Sequence, residues 1–376
     1  MRYRMVGVLS CAAGGSLVAL LMASGVAAAA AAWTVVPSPS PGVSGDQLFG
    51  VASVSANDVW AVGQTTTSAG FATLAEHWNG TAWSVVPTTN KVPSERLNGV
   101  AAVSSSDVWA VGSVSTSSPP VTEHWNGTAW KTVAPAGKQD GFLTGVTAVS
   151  AKDVWAVGEF QKPGVGLQTL IEQFTGHKWH VVLSPDVGTL DELTGVTAVS
   201  ATDVWAVGFA EANPSQGNFP QTLVLHWDGT SWSVVPSADP DTINSELTAV
   251  TAVSATDVWA VGEFSGDQTL AEQWNGTSWN AVTSPAAGQL NGVAAVSASN
   301  IWAVGSFSDP NTGITSTVIE NWDGTSWTVV PSPDPSANEN VLAAASADPA
   351  SGQAWAVGEF FNTTTSTRQT LTEFNP

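Results

Sequence analysis

Chemistry in this sequence falls to its carboxylates, because the other reactive side chains are scarce: 31 Asp+Glu stand beside 5 His, one Cys and one Tyr. Several acids come in series. Asp58, Asp107, Asp153, Asp203 and Asp257 each precede Val-Trp, and Glu76, Glu123, Glu172, Glu272, Glu320 and Glu373 each stand one or two places before an aromatic residue. Glu159-Phe160, Glu263-Phe264 and Glu359-Phe360 form a third set. Paired carboxylates serve glycoside hydrolysis, and loop acids such as Asp239, Asp241 and Asp309 are hard oxygen ligands suited to Ca²⁺. Neither possibility has a recognisable motif here. No serine elbow, zinc-type histidine pair or phosphate-cradling glycine loop is present. His177 and His180 are only a weak ligand pair. His77, His124 and His226 recur at about fifty-residue intervals or multiples of it, which separates them rather than gathering them on a metal. No cofactor is implied.

Charge narrows the partners. Ten Lys+Arg give a net charge of −21, the reverse of what phosphate backbones and anionic headgroups attract. Nucleic acid and membrane surfaces are therefore not expected partners. The only cysteine, Cys11, lies in an N-terminal stretch of different character. There Arg2 and Arg4 precede an uncharged run from Met5 to Ala32 with an apolar centre near 17–22 and an alanine tail. A basic start, an apolar middle and small residues at the end read as a secretory signal over 1–32, cleaved between about 28 and 32. The rival is an uncleaved anchor, since the run is long enough to span a bilayer. With the signal removed, the protein carries −23, has no disulfide, and is expected outside the cell as a monomer stabilised by core packing.

The rest of the chain is one repeat. Asp58-Val59-Trp60-Ala61-Val62-Gly63 returns around Trp109, Trp155, Trp205, Trp259, Trp302 and Trp355, at spacings of 43 to 54 residues. After each comes a second string, Glu76-His77-Trp78-Asn79-Gly80-Thr81-Ala82-Trp83 in the first copy. The seventh copy stops after Glu373-Phe374, and its missing end matches Trp33-Thr34-Val35-Val36-Pro37 at the other terminus. All 19 tryptophans have an address in this repeat. Each unit holds four strand-like pieces: an apolar and small run, the Val-Trp-Ala-Val run, a third strand ending at the aromatic, and a short fourth strand ended by proline in most copies. Asn-Gly or Asp-Gly between the last two suits a tight hairpin turn.

Four antiparallel strands per unit, repeated seven times, specify an all-β seven-bladed propeller over 33–376. The split copy predicts that the N-terminal strand completes the last blade and closes the ring, leaving no open sheet edges at the ends. The strings resemble kelch-like propeller repeats, specifically the Trp-rich DVWAVG and HWNGTxW type of secreted bacterial proteins. Two departures stand out: kelch blades carry paired glycines where this chain has Val62-Gly63, and their aromatic spacing is a residue longer than Trp78 to Trp83. The resemblance implies the fold and carries almost nothing about activity. A sialidase-like site needs three arginines and a tyrosine, and a galactose-oxidase-like copper site needs tyrosine and cysteine. The region 33–376 offers Arg96 and Arg368, with no Tyr or Cys.

Repeated residues most simply serve what every blade must do. The tryptophans are expected to fill the wedges between blades, with those of the fourth strand (Trp33, Trp83, Trp130, Trp179, Trp232, Trp279, Trp327) nearest solvent. The turn aspartates are expected to accept backbone N–H bonds. Asn-Gly-Thr at 79, 126 and 275 matches a glycosylation sequon, yet Asp-Gly-Thr replaces it at 228 and 323, so a turn role explains both. The short, constant turns fall on one face of the ring; the second-to-third loops and the blade connections, which vary, fall on the other. Variable loops on a rigid frame are how recognition surfaces are built. The expectation is a non-catalytic scaffold binding an extracellular protein or glycan there. Glu159, Phe160, Glu263, Phe264, Glu359 and Phe360, at the start of three such loops, are the candidate contacts. A multivalent lectin using the outer tryptophans and a polysaccharide hydrolase or lyase using loop carboxylates stay open.

Overall fold

A computed structural model describes residues 32–376 apart from 90–93, 115–117, 137–140, 212–218, 241–243 and 266. The segment proposed as a signal lies outside them, as does Asp241. The described residues form seven four-stranded antiparallel sheets and no helix. In the first blade the strands are Asp46–Ser55, Asp58–Thr67, Gly70–Trp78 and Trp83–Val85, in that order from the ring axis outward. The last blade takes its outer strand from the opposite terminus: Thr34–Val35 pairs with Thr367–Asn375, Thr34 opposite Phe374 and Val35 opposite Glu373. Val36 N–H continues the ladder to the Thr372 carbonyl at 2.9 Å. The ring is closed.

Each seam between blades is a tryptophan cluster. The central Trp of one blade meets the third-strand aromatic and fourth-strand Trp of the next: Trp60 lies 4.9 Å from Trp125 and 5.3 Å from Trp130, the latter edge-on at 86°. The closing seams repeat this geometry, with Trp33 edge-on to Trp302 at 5.2 Å and Trp83 edge-on to Trp355 at 5.2 Å. Such T-shaped pairs satisfy the ring quadrupoles. The fourth-strand tryptophans prove to be 3–6% exposed, buried as deeply as core residues. The expectation that they lie nearest solvent is corrected: the third-strand rings Trp78, Trp125, Trp227 and Trp274 are the half-buried ones. A three-residue outer strand lets its leading Trp fold back into the seam.

Two glycine positions fix the inner frame. Gly63 and its equivalents at 112, 158, 208, 262, 305 and 358 face a bulge in the first strand, where an added Cβ would sit 1.9–2.0 Å from a backbone oxygen. That requirement accounts for the constant Val-Gly. Gly50, Gly99, Gly145, Gly195 and Gly292, with Ala249 and Ala344, line the waist of the channel, where inner strands of adjacent blades approach closely: a Cβ on Gly292 would meet Ala345 N at 2.7 Å. Just above the waist, Asn98, Thr144, Thr194, Thr248 and Asn291 each donate to a Leu carbonyl of the following blade, at 2.7 Å for Asn98 to Leu143 and 2.8 Å for Asn291 to Leu342. Phe49 and Ala343 occupy this position in the first and last blades and have no donor to offer.

Candidate functional site

The repeated carboxylates are structural clamps. Asp58, Asp107 and Asp203 accept from His77, His124 and His226 of their own blades at 2.7–2.8 Å. Gln173 and Gln273 supply the same bond to Asp153 and Asp257 at 2.8 Å. The partner of the turn Asp is thus a third-strand side chain, tying turn to sheet. In the hairpin turns, Asn79 Oδ1 accepts from Thr81 N, Thr81 Oγ1 and Ala82 N at 2.7–3.1 Å, and Asp228 Oδ1 makes the equivalent three bonds at 2.7–2.9 Å.

The third-strand glutamates are fully buried and join neighbouring blades. Glu123 accepts from Thr89 Oγ1 at 2.7 Å, Glu172 from Ala136 N at 3.0 Å, Glu272 from Ala238 N at 3.2 Å, Glu320 from Ser284 Oγ at 2.6 Å and Ala286 N at 2.8 Å, and Glu373 from Ser332 Oγ at 3.0 Å. Each donor belongs to the linker leaving the preceding blade. Glu76, at the closing seam, differs. The residue corresponding to Thr89, Ala136 and Ala238 is Pro39, which has no N–H. Proline also stands there as Pro285 and Pro333, but the serine before each donates to the glutamate. At Pro185 the next blade carries Leu225 in place of glutamate. Ser38 instead bonds Thr370 at 2.7 Å. Among the described residues neither Glu76 oxygen has a partner, and burial, with Asp46 adding repulsion, pushes its carboxyl up to about 9.

The variable-loop face is organised by two rim positions, one on each of the first two strands, just before the bulge. They pair across the first two strands as Gln47 with Gln64, Arg96 with Ser113, Phe142 with Glu159, Glu192 with Phe209, Glu246 with Glu263, Gln289 with Ser306 and Val341 with Glu359. Backbone repeats; chemistry does not. Blades 3 to 5 form an acidic arc. Glu159 and Glu192 hydrogen-bond to each other, and burial together with the charge of Glu159 pushes Glu192 up to about 7. Burial also raises Glu246 and Glu263, with further repulsion on Glu246 from Glu263, Glu192 and Glu211, and on Glu263 from Asp267. Two carboxyls in hydrogen-bond contact share a proton.

Of the six predicted contact residues, the structure brings Glu159 and Glu263 into this arc. Glu359 sits apart, 3.4 Å from Arg368, which also binds Glu339 at 2.8 Å. Glu159, Phe160, Glu359 and Phe360 lie inside strands rather than at loop starts, because those second strands run on through Lys162 and Asn362, whereas Glu263 and Phe264 are the last two residues of theirs. Strand alternation turns Phe160, Phe264 and Phe360 into the interblade cores, where each packs half-buried. Arg96, Phe49, Phe142, Glu192 and Glu246 were missed by sequence reasoning. The available signal was their variability at one or two places in an otherwise constant string, Gln47-Leu48-Phe49-Gly50 against Arg96-Leu97-Asn98-Gly99.

In the blade next to the start of the acidic arc, Arg96 lines two cavities. One, of about 330 Å³, is the channel mouth, with Phe49, Asn98 and Thr144. The other, of about 460 Å³, lies beside it, walled by Phe71, Val114 and Phe142 with Gln64, Ser94 and Ser113. Among the described residues no group of three or more His, Cys, Asp or Glu could hold a metal. Asp309 is occupied by its own loop, accepting from Asn311 N at 2.8 Å and Thr312 Oγ1 at 2.9 Å.

No family model and no curated protein match this sequence. Solved structures share the fold. YCF48 from Cyanidioschyzon merolae is similar at 17% identity and a TM-score of 0.59, covering 92% of this chain and 99% of that one. A structure of YCF48 bound to D1 peptide is similar at 15% identity and 0.59, covering 93% and 100%. The WD40 repeats of RRP9 are similar at 10% identity and 0.60, covering 92% and 99%. At these identities the likeness is one of fold: a seven-bladed β-propeller with tryptophan-containing blades.

Proposed function

We propose that the protein is a secreted, non-catalytic recognition scaffold that binds a protein or peptide on its variable-loop face. The carrying observation is the rim: seven near-identical backbone positions present one arginine, a set of glutamates and several aromatic or amide side chains, with the arginine in the second blade beside an acidic arc over the third to fifth. A frame held constant while one ring of side chains varies is the arrangement expected of a binding surface. The similar YCF48 structure holding a D1 peptide supports a peptide partner, by analogy of fold alone. Burial of the outer tryptophans leaves a multivalent lectin without the stacking platform that reading relied on.

The signal over 1–32, export, action as a monomer, the kelch-like Trp-rich repeat type and the lack of a cofactor belong to this same reading and rest on the sequence. Glu159 and Glu263 are retained as contacts, joined by Glu192 and Glu246; Glu359 is assigned to holding Arg368. The test is a screen of protein, peptide and glycan arrays with the native chain and with the E159Q/E192Q/E246Q/E263Q variant. Loss or exchange of partners in the variant supports the reading. An unchanged profile at full strength refutes it.

A further inference from the structure

We propose that Arg96 anchors the C-terminal carboxylate of a peptide whose last side chain is apolar. This deepens, and rests on, the reading that recognition takes place on the variable-loop face.

Arg96 is exposed at the rim of its blade. Its Nε donates to Ser113 Oγ at 3.1 Å, and its two terminal nitrogens meet no carboxylate among the described residues. The only other arginine of the propeller, Arg368, is held by two glutamates. In a chain of 31 acids an exposed arginine left without an acidic partner presents an open fork, and that fork matches a carboxylate bidentately.

The neighbouring cavity sets what the carboxylate is attached to. Its volume of about 460 Å³ lies in the range of small-ligand sites, and three of its seven lining residues are apolar. Phe71 is 46% exposed, and Phe142 and Val114 are half-buried. Gln64, Ser94 and Ser113 supply a few hydrogen-bonding groups, enough for one or two peptide amides and too few for the hydroxyls of a sugar chain. The acidic arc of Glu159, Glu192, Glu246 and Glu263, which begins in the blade next to Arg96, repels an extended polyanion, so the ligand bears a single terminal carboxylate on an otherwise neutral or basic chain.

The test uses N-terminally tethered hexapeptides ending in Leu, Phe or Val, each as free acid and as C-terminal amide, with hexagalacturonate as a polyanionic glycan probe. Free acids are expected to bind at least tenfold more tightly than their amides. R96Q should remove that preference and R96K restore part of it, with thermal melts matching the native chain because Arg96 is exposed. F71A should weaken the peptides without removing the acid preference. Equal binding of acid and amide, binding indifferent to R96Q, no peptide bound at all, or galacturonate bound more tightly than every peptide each overturns the assignment. Array partners that are lost in the four-glutamate variant but show no preference for a free carboxylate sink this inference alone and leave the face assignment standing.

Discussion

Glu76 offers the sharpest prediction about how the ring is held. Its carboxyl is 0% exposed with no hydrogen-bond partner and has its pKa pushed up to about 9, against 4.5 for an ordinary glutamate. The folded protein therefore keeps this proton where the unfolded chain has lost it, so the contribution to stability is greatest below pH 4.5 and drains away as pH rises to 9. One pH unit in that window is worth about 1.4 kcal/mol. Glu76→Gln keeps the shape and cannot ionise, and the other raised carboxyls cancel in the comparison. The stability gap between E76Q and the native chain should thus widen by about 1.4 kcal/mol per unit, or roughly 4 kcal/mol between pH 5 and pH 8. At about 1–2 °C per kcal/mol for a chain this long, the shift is several degrees. Melts followed by intrinsic tryptophan fluorescence at pH 5, 6, 7 and 8 measure it. A gap that stays flat across that range would refute the claim that Pro39 leaves this glutamate stranded.

The other blades supply controls and further predictions. Glu123→Leu orphans the donor groups of Thr89 and should cost about 1–3 kcal/mol in a urea titration, whereas Glu76→Leu, which copies Leu225, should stabilise at pH 8. His124→Ala should cost about 1 kcal/mol by losing the Asp107 bond, while His124→Gln should be near neutral because Gln173 and Gln273 already make that bond. Gly158→Ala places a Cβ 2.0 Å from the Phe142 carbonyl oxygen and should destabilise by about 1–3 kcal/mol, or prevent folding, in the same titration. In E159Q the carboxyl carbon of Glu192, followed by NMR, should titrate below the midpoint of about 7 expected in the native chain, because the neighbouring charge is gone.

The architecture was legible because a propeller writes its geometry into the sequence once per blade. Seven Trp-Ala-Val-Gly strings gave the blade count, and Trp33–Pro37 matching Trp83–Pro87 gave the closure now seen as Thr34 opposite Phe374. What stayed hidden depends on which way a side chain points across a bulge. Glu159 and Phe160 are adjacent in sequence but face the mouth and the core, respectively, and the bulge between Leu143 and Gly145 is invisible without register. Arg96 gave no signal of its own, since only the ring arrangement shows that it shares a cavity with Phe142 beside the acidic arc. The depth of the outer tryptophans was misread for a similar reason: position at the rim of a blade does not fix exposure when a neighbour covers it.

Which face does the binding can be asked of the molecule directly. Cys11 is the only cysteine, so with C11S in place single cysteines can be set at Thr81 on the short-turn face and at Thr67 on the variable-loop face and coupled to a 5-kDa polyethylene glycol maleimide. The account predicts that array partners survive the label at Thr81 and are lost with the label at Thr67. Loss at Thr81 with retention at Thr67 would contradict it.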